Sequence, residues 1–146
     1  GMRRARLRSA FTLVELAFVM AILAVLVAAA VPAYEAVLRH AQVAEAHTMV
    51  QGIAHAEKRL FRDQGRFLPC GEPGPPPART APFSDDPCWT ELGFSVSGEV
   101  RYRYWVELAG DGFRVLAVGD LDRDGHLSRI ELSGLTLAVR VEDELE

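Results

Sequence analysis

Twelve residues in the C-terminal third of the chain have the spacing of a calcium-binding loop. Residues 120–131 read DLDRDGHLSRIE, with carboxylates at the first, third, fifth and twelfth positions and glycine at the sixth. Hard Ca²⁺ prefers a set of flexible oxygen ligands, and EF-hand loops present them in this order. We expect calcium to be bound by the side chains of Asp120, Asp122, Asp124, Ser128 and Glu131 and by the backbone carbonyl of His126.

The segments on both sides of this loop predict strands, whereas an EF-hand has helices there. Residues 113–118, FRVLAV, precede the loop as the returning strand of a hairpin, and the strand-like residues 130–132 follow it. The sequence therefore predicts a structural calcium loop that joins two strands, not a calcium sensor. The alternative is an aspartate-rich turn held by hydrogen bonds from its own side chains.

Cys70 and Cys88 are the only cysteines, and they flank the proline-rich run GEPGPPPART. In a domain that has crossed a membrane, an even pair of cysteines indicates a disulfide. Closing a loop of this length stabilises the fold by roughly 3 kcal/mol in the chain-entropy model. Two free thiols or a metal-binding pair are the alternatives.

Glu15 is the one charged residue in an apolar stretch from Phe11 to Val31. As a helix, this stretch spans roughly 30 Å, the thickness of the hydrocarbon core of a bilayer. A carboxylate deep in lipid costs about 2.5–3.5 kcal/mol, so such residues usually serve a function. Four arginines and no acid precede the stretch, which places residues 1–10 on the cytoplasmic side. A secretory signal peptide and a plain membrane anchor are the simpler interpretations.

The string SAFTLVEL at residues 9–16 closely resembles the cleavage and methylation motif of type IV pilins and type II secretion pseudopilins. The resemblance implies that a prepilin peptidase and methyltransferase cleaves between Ala10 and Phe11 on the cytoplasmic side and methylates the new terminus. Glu15 then matches the glutamate that pairs with the terminal amine of a neighbouring subunit. The family usually has glycine before the cleaved bond, where this chain has Ala10.

The remaining sequence predicts an α+β fold, with a long N-terminal helix laid against a small antiparallel sheet. Apolar residues at helical spacing continue through residues 33–62, in a main stripe and a second, weaker one. Asp63-Gln64-Gly65 is expected to end the helix. Residues 66–93 are expected to be irregular, because prolines exclude helix and central strand from GEPGPPPART. The two stripes comprise Tyr34, Leu38, Ala41, Met49, Ile53, Ala56 and Leu60, and Val43, Val50, Ala54 and Phe61.

A hairpin and a late strand are expected in the final third. Val100, Tyr102, Tyr104, Val106 and Leu108 alternate with polar residues and are expected to face inward, before a turn at residues 109–112. A further strand is expected where Leu135, Leu137, Val139 and Val141 alternate. The predicted organisation is a leader at 1–10, a transmembrane segment at 11–31, an amphipathic helix at 32–63 and a globular head at 64–146, with the disulfide loop 70–88 and the calcium-like loop 120–131.

These features favour a structural filament subunit of a type IV pilus system, a pilin, minor pilin or pilin-like protein, and not an enzyme. Its expected partners are other pilin subunits, the inner membrane as a precursor, and the pilus or secretion assembly machinery, followed by a periplasmic or extracellular filament. The alternatives are a type II secretion pseudopilin and a membrane-anchored calcium-binding module without a filament. Loss of the four leader arginines takes the formal net charge from −4 to −8. This acidity disfavours nucleic-acid binding but does not exclude a basic patch at Arg101 and Arg103.

Overall fold

The computed structural model of the chain describes residues 11–121, 123–136 and 138–142. The chain divides into two compact units, residues 1–38 and residues 39–146. The secondary structure is α+β, as expected. The order of elements is α1 (Leu13–Gln64), β1 (Ala81–Pro82), α2 (Pro87–Leu92), β2 (Glu99–Val100), β3 (Arg103–Ala109), β4 (Gly112–Gly119), β5 (Ser128–Ser133) and β6 (Val139–Glu142).

Helix α1 is 52 residues long and contains Pro32 in its interior. It ends where the sequence predicted, because Gly65 takes a left-handed φ of 71° and its N–H donates to the Phe61 carbonyl at 2.7 Å. In the first unit its apolar side chains are exposed. By length and composition, this is a helix that could cross a membrane.

In the second unit, α1 packs on the sheet through one buried stripe. Three residues at the N-terminal end of the main stripe, Tyr34, Leu38 and Ala41, are exposed in the chain and are not part of that buried stripe. Phe61 of the second stripe is exposed as well. The buried face combines members of both predicted stripes and adds two residues that neither contained, Ala46 and Glu57. Its members are Val43, Ala46, Val50, Ile53, Ala54, Ala56, Glu57 and Leu60.

Strands β3 to β6 form one antiparallel sheet in sequential order. The predicted hairpin is present, with Ala109 paired to Gly112 across a two-residue loop. The helix-facing core of the sheet includes Tyr104 and Val106 of β3, together with Phe113, Val115, Ala117, Ile130 and Leu132 of β4 and β5. A second small cluster, Trp105, Leu116 and Val118, covers the opposite face. Both faces of this sheet are therefore partly apolar.

Four details of the head differ from the sequence prediction. The strand expected over residues 100–108 is interrupted, since β2 ends at Val100 and β3 begins at Arg103. Leu108 and Leu135 are exposed, the latter in a turn, because both lie at the ends of their predicted strands. The late strand β6 covers only Val139–Glu142, and Leu137 lies outside the described residues. The segment expected to be irregular contains β1 and α2.

Candidate functional site

The N-terminus of α1 is capped by the side chains of Thr12 and Glu15, each of which accepts a hydrogen bond from the backbone N–H of the other residue. The Thr12 N–H and hydroxyl donate to Glu15 Oε2 at 3.1 and 3.0 Å, and the Glu15 N–H donates to the Thr12 hydroxyl at 3.1 Å. Thr12 is therefore the N-cap and Glu15 the third helical residue, the pair known as a capping box. The sequence carries this signal as Thr-x-x-Glu, although the cap was not among the features predicted from it.

This cap defines what the Glu15 carboxylate can do. All of its hydrogen bonds in the described part of the chain use Oε2, and they come from Thr12. Phe11, Thr12 and Glu15 are exposed, so the other oxygen is accessible to an external donor. The partial positive charge at the start of a helix also favours a carboxylate here. Ala10, on the other side of the predicted cleavage point, lies outside the described residues.

The surroundings of Glu15 are apolar over several helical turns. The residues from Leu13 to Val31 present their large apolar side chains outward, and a shallow groove of about 300 Å³ runs along them. The groove is lined by Phe18, Ala21, Ile22, Val25 and Leu26. Ala21 allows close approach of another backbone, as small residues do where helices meet in membranes.

The predicted disulfide between Cys70 and Cys88 is present, with their Cα atoms 5.6 Å apart. Two local features fix the ends of the loop that it closes. The Val106 N–H donates to the Cys70 carbonyl at 2.7 Å, which ties Cys70 to β3. Asp86 caps α2 by accepting from the Cys88 N–H at 3.0 Å. The disulfide therefore joins the sheet to α2.

The first half of the calcium-like loop forms a tight turn. Asp120 Oδ1 accepts from the Arg123 N–H at 2.8 Å, and Asp124 Oδ1 accepts from the His126 N–H at 2.7 Å. Gly125, the sixth residue of the motif, takes a φ of 88°, as the sharp turn of such a loop requires. Asp122 lies outside the described residues.

The second half of the loop is part of β5, where the two remaining predicted ligands lie on different faces. Ser128 is buried and its hydroxyl accepts from the Tyr102 hydroxyl at 3.2 Å. Glu131 lies three residues further, on the opposite face of the strand, and accepts from Arg114 at 3.4 Å. Among the described residues, no three His, Cys, Asp or Glu side chains form a group that could hold a metal. Calcium binding by the full set stays a prediction.

A buried acid that was not predicted from the sequence, Glu57, lies on the sheet-facing side of α1. The Glu57 side chain is fully buried, and its Oε2 accepts from the Leu68 N–H at 3.0 Å. Burial is the main cause that raises the pKa of Glu57 from 4.5 to about 7, against the opposing effects of Leu68 and Arg66. Its burial could have been predicted from the sequence, because Glu57 lies at helical spacing from both Ile53 and Leu60, which are buried.

Comparison with known proteins assigns the N-terminal segment. No curated protein and no solved structure matches the chain. Residues 5–31 match the family described as the prokaryotic N-terminal methylation motif. Together with the long apolar helix, this match supports a type IV pilin-like or pseudopilin protein with a membrane-anchored precursor, a structural class and not an enzyme class. Over residues 5–31, therefore, this chain carries the prepilin signature of type IV pilins and pseudopilins.

Proposed function

We propose that this chain is a structural filament subunit of a type IV pilus system. The observation that carries the proposal is the methylation motif at residues 5–31, which ends in a helix whose apolar side chains are exposed. The precursor is stored in the inner membrane, cut between Ala10 and Phe11, and extracted into a bundle of N-terminal helices. A type II secretion pseudopilin would use the same steps and is the alternative.

Glu15 is the residue that sets the register of assembly in this proposal. An isolated carboxylate in an apolar layer is stabilised by a cation, and the cleaved Phe11 of a neighbouring subunit supplies an amine. The capping box holds the carboxylate at the start of the helix and leaves one oxygen for that amine. The groove around Ala21 offers a place for a neighbouring helix to pack.

The proposal is tested by replacing Glu15 and comparing two fractions of the cell. For Glu15→Ala we expect normal amounts of protein in the membrane fraction and loss of the protein from sheared surface filaments. Glu35→Ala is the matched control, because Glu35 is an exposed acid of the same helix. Immunoblots of both fractions and immunogold labelling provide the readout. Normal incorporation of the Glu15 variant would contradict the assembly role.

We further propose that the 120–131 loop binds calcium as a structural ion. The twelve-residue pattern and the left-handed Gly125 at its sixth position support this. Asp120, Asp122 and Asp124 would provide the carboxylates and His126 its carbonyl. Coordination by both Ser128 and Glu131 would require β5 to open at its start, since their side chains lie on opposite faces.

Thermal unfolding of the full chain in a nonionic detergent tests the calcium proposal. We expect millimolar calcium to raise the melting temperature and EDTA to reverse the rise, because a ligand that binds only the folded state stabilises it. Asp124→Asn should abolish the rise, whereas Asp111→Asn, an exposed acid in the hairpin loop, should preserve it. An unchanged melting temperature at millimolar calcium would count against a calcium site.

A further inference from the structure

Three arginines from three separate segments of the second unit line one cavity. Arg79 belongs to the disulfide loop, Arg101 lies between β2 and β3, and Arg123 belongs to the 120–131 loop. The cavity has a volume of about 240 Å³, and Asp120 is the only acid in its lining among the described residues. We call it the arginine cavity. The described residues of its lining carry a surplus of positive charge, although the chain as a whole is acidic.

In the described part of the chain, no ion pair within 4 Å involves the three arginines of the cavity. The ion pairs of the described residues use Arg66 and Arg114. The neighbouring Arg103 shows the contrast, because its Nε donates to the Pro75 carbonyl at 2.8 Å and holds that segment in place. Because the three guanidinium groups outnumber the one described carboxylate of the lining, their mutual repulsion raises the energy of the fold unless an anion binds between them.

Arg123 is held at the cavity by a specific backbone arrangement. It is the one non-glycine residue with positive φ among the described residues, at 63°. Such a conformation is disfavoured for arginine and persists where the surrounding structure enforces it. Here the Arg123 N–H donates to Asp120 Oδ1 at 2.8 Å, a hydrogen bond that stabilises this backbone conformation. Asp120 therefore positions Arg123, even though its own charge opposes an anion.

We propose that the arginine cavity binds a phosphate or sulfate group of a small ligand. Guanidinium groups present planar pairs of N–H donors that match such oxyanions and stay charged at every physiological pH. The volume is at the small end for ligand sites, so a phosphate with a few attached atoms fills it. The Thr80 hydroxyl is not a further donor to this ligand, because it already donates to Glu99.

Calorimetric titration of the full chain in a nonionic detergent and calcium-free chloride buffer tests this site. The probes are inorganic phosphate, sulfate, a sugar phosphate and acetate at constant ionic strength. We expect saturable binding of phosphate and sulfate to one site per chain and weaker binding of acetate, which has a single charge. Equal affinity for phosphate and the sugar phosphate would identify the free oxyanion as the ligand, and tighter binding of the sugar phosphate would identify an ester.

Charge variants give effects of opposite sign at the same cavity. Arg79→Gln, Arg101→Gln and Arg123→Gln should each weaken phosphate binding by about tenfold, the effect of losing one charge-assisted hydrogen bond. Asp120→Asn should strengthen it, since asparagine keeps the acceptor for Arg123 and removes the opposing charge. Arg62→Gln, at an exposed position in the last turn of α1, should leave it unchanged. Absence of saturable phosphate and sulfate binding, or an equal loss in Arg62→Gln, would overturn the proposal.

Discussion

Helix α1 passes through two regions that use the same residue types in opposite ways. Up to Leu38 its apolar side chains face outward, and Ile22 is 59% exposed. From Arg39 onward its apolar side chains close a core, and Ile53 is completely buried. Burial of apolar surface is the main source of folding free energy. The second region therefore provides its own folding free energy. The first region requires apolar surroundings that the described chain does not provide, such as lipid or other helices.

One acid from each region, Glu15 and Glu57, shows the same contrast. Glu15 is exposed and accepts from its own N-cap residue, which leaves one oxygen for an external donor. Glu57 is buried and accepts from the Leu68 N–H, which connects α1 to the segment before Cys70. Glu15 is therefore accessible to a neighbouring molecule, whereas Glu57 contacts its own chain.

The largest difference between the two regions is expected in the free energy of unfolding, when the same Ile→Ala substitution is made in each. Ile53→Ala should lower the free energy of unfolding by about 3–4 kcal/mol, because it leaves a cavity in the core. Ile22→Ala should leave it unchanged. Both tryptophans lie in the second region and are buried, so their fluorescence in a urea titration reports this region alone. Similar losses of unfolding free energy for the two variants would refute the division of α1 into two regions.

Removal of the disulfide should affect the second region almost as strongly. Replacing both Cys70 and Cys88 by serine is expected to lower the free energy of unfolding by roughly 3 kcal/mol, since the unfolded chain gains the freedom of an open loop. The amount of protein in the membrane fraction should stay the same. The wild-type protein under a reducing agent provides the matched comparison. Equal stability with and without the bond would show that the proline-rich segment is rigid by itself.

Glu57 should make the stability of the second region depend on pH. Because burial raises its folded pKa to about 7, from 4.5, the folded state holds a proton more tightly between these values. Its contribution to the free energy of unfolding is therefore present at low pH and is lost as pH rises through 7. Relative to Glu57→Gln, we expect the wild type to lose about 1–3 kcal/mol between about pH 5 and about pH 8. Parallel pH profiles for the two proteins would disprove this effect.

The smallest effect on the free energy of unfolding is expected on the sheet face that carries Trp105, Leu116 and Val118, opposite to the helix. Arg114 lies 3.2 Å from Glu107 and 3.4 Å from Glu131, and all three side chains are partly exposed. Arg114→Gln should lower the free energy of unfolding by less than about 1 kcal/mol, because solvent screens such pairs. High salt should reduce the difference between variant and wild type. A loss as large as that of Ile53→Ala would mean that this face contributes to the core.

A pattern that repeats over many residues was enough to predict α1, the turn residues 109–112 indicated the hairpin, and the single pair of cysteines indicated the disulfide. The short helix α2 was missed, although Asp86 caps it, Pro87 begins it and Gly93 ends it with a φ of 70°. Six residues are too few for an apolar periodicity, so only the capping residues could have indicated it.

The sequence prediction also failed for the burial of a charged residue and for the boundary of β5. The stripe on α1 was traced through apolar residues alone, so Glu57 was left out, although its backbone partner makes its burial tolerable. In the 120–131 loop, the spacing of the motif identified candidate calcium ligands, but it did not predict the residue at which β5 begins. Because β5 starts at Ser128, alternation places Ser128 and Glu131 on opposite faces.

The mature N-terminus is the most direct test of the pilin-like assignment. The chain should be purified from membranes in detergent, and its N-terminal peptide sequenced by mass spectrometry. We predict a first residue at Phe11 with a methylated amine, which leaves the whole apolar helix on the mature protein. An N-terminus near Val31 would contradict the account, because it would show that the apolar stretch is a signal peptide removed from a secreted domain.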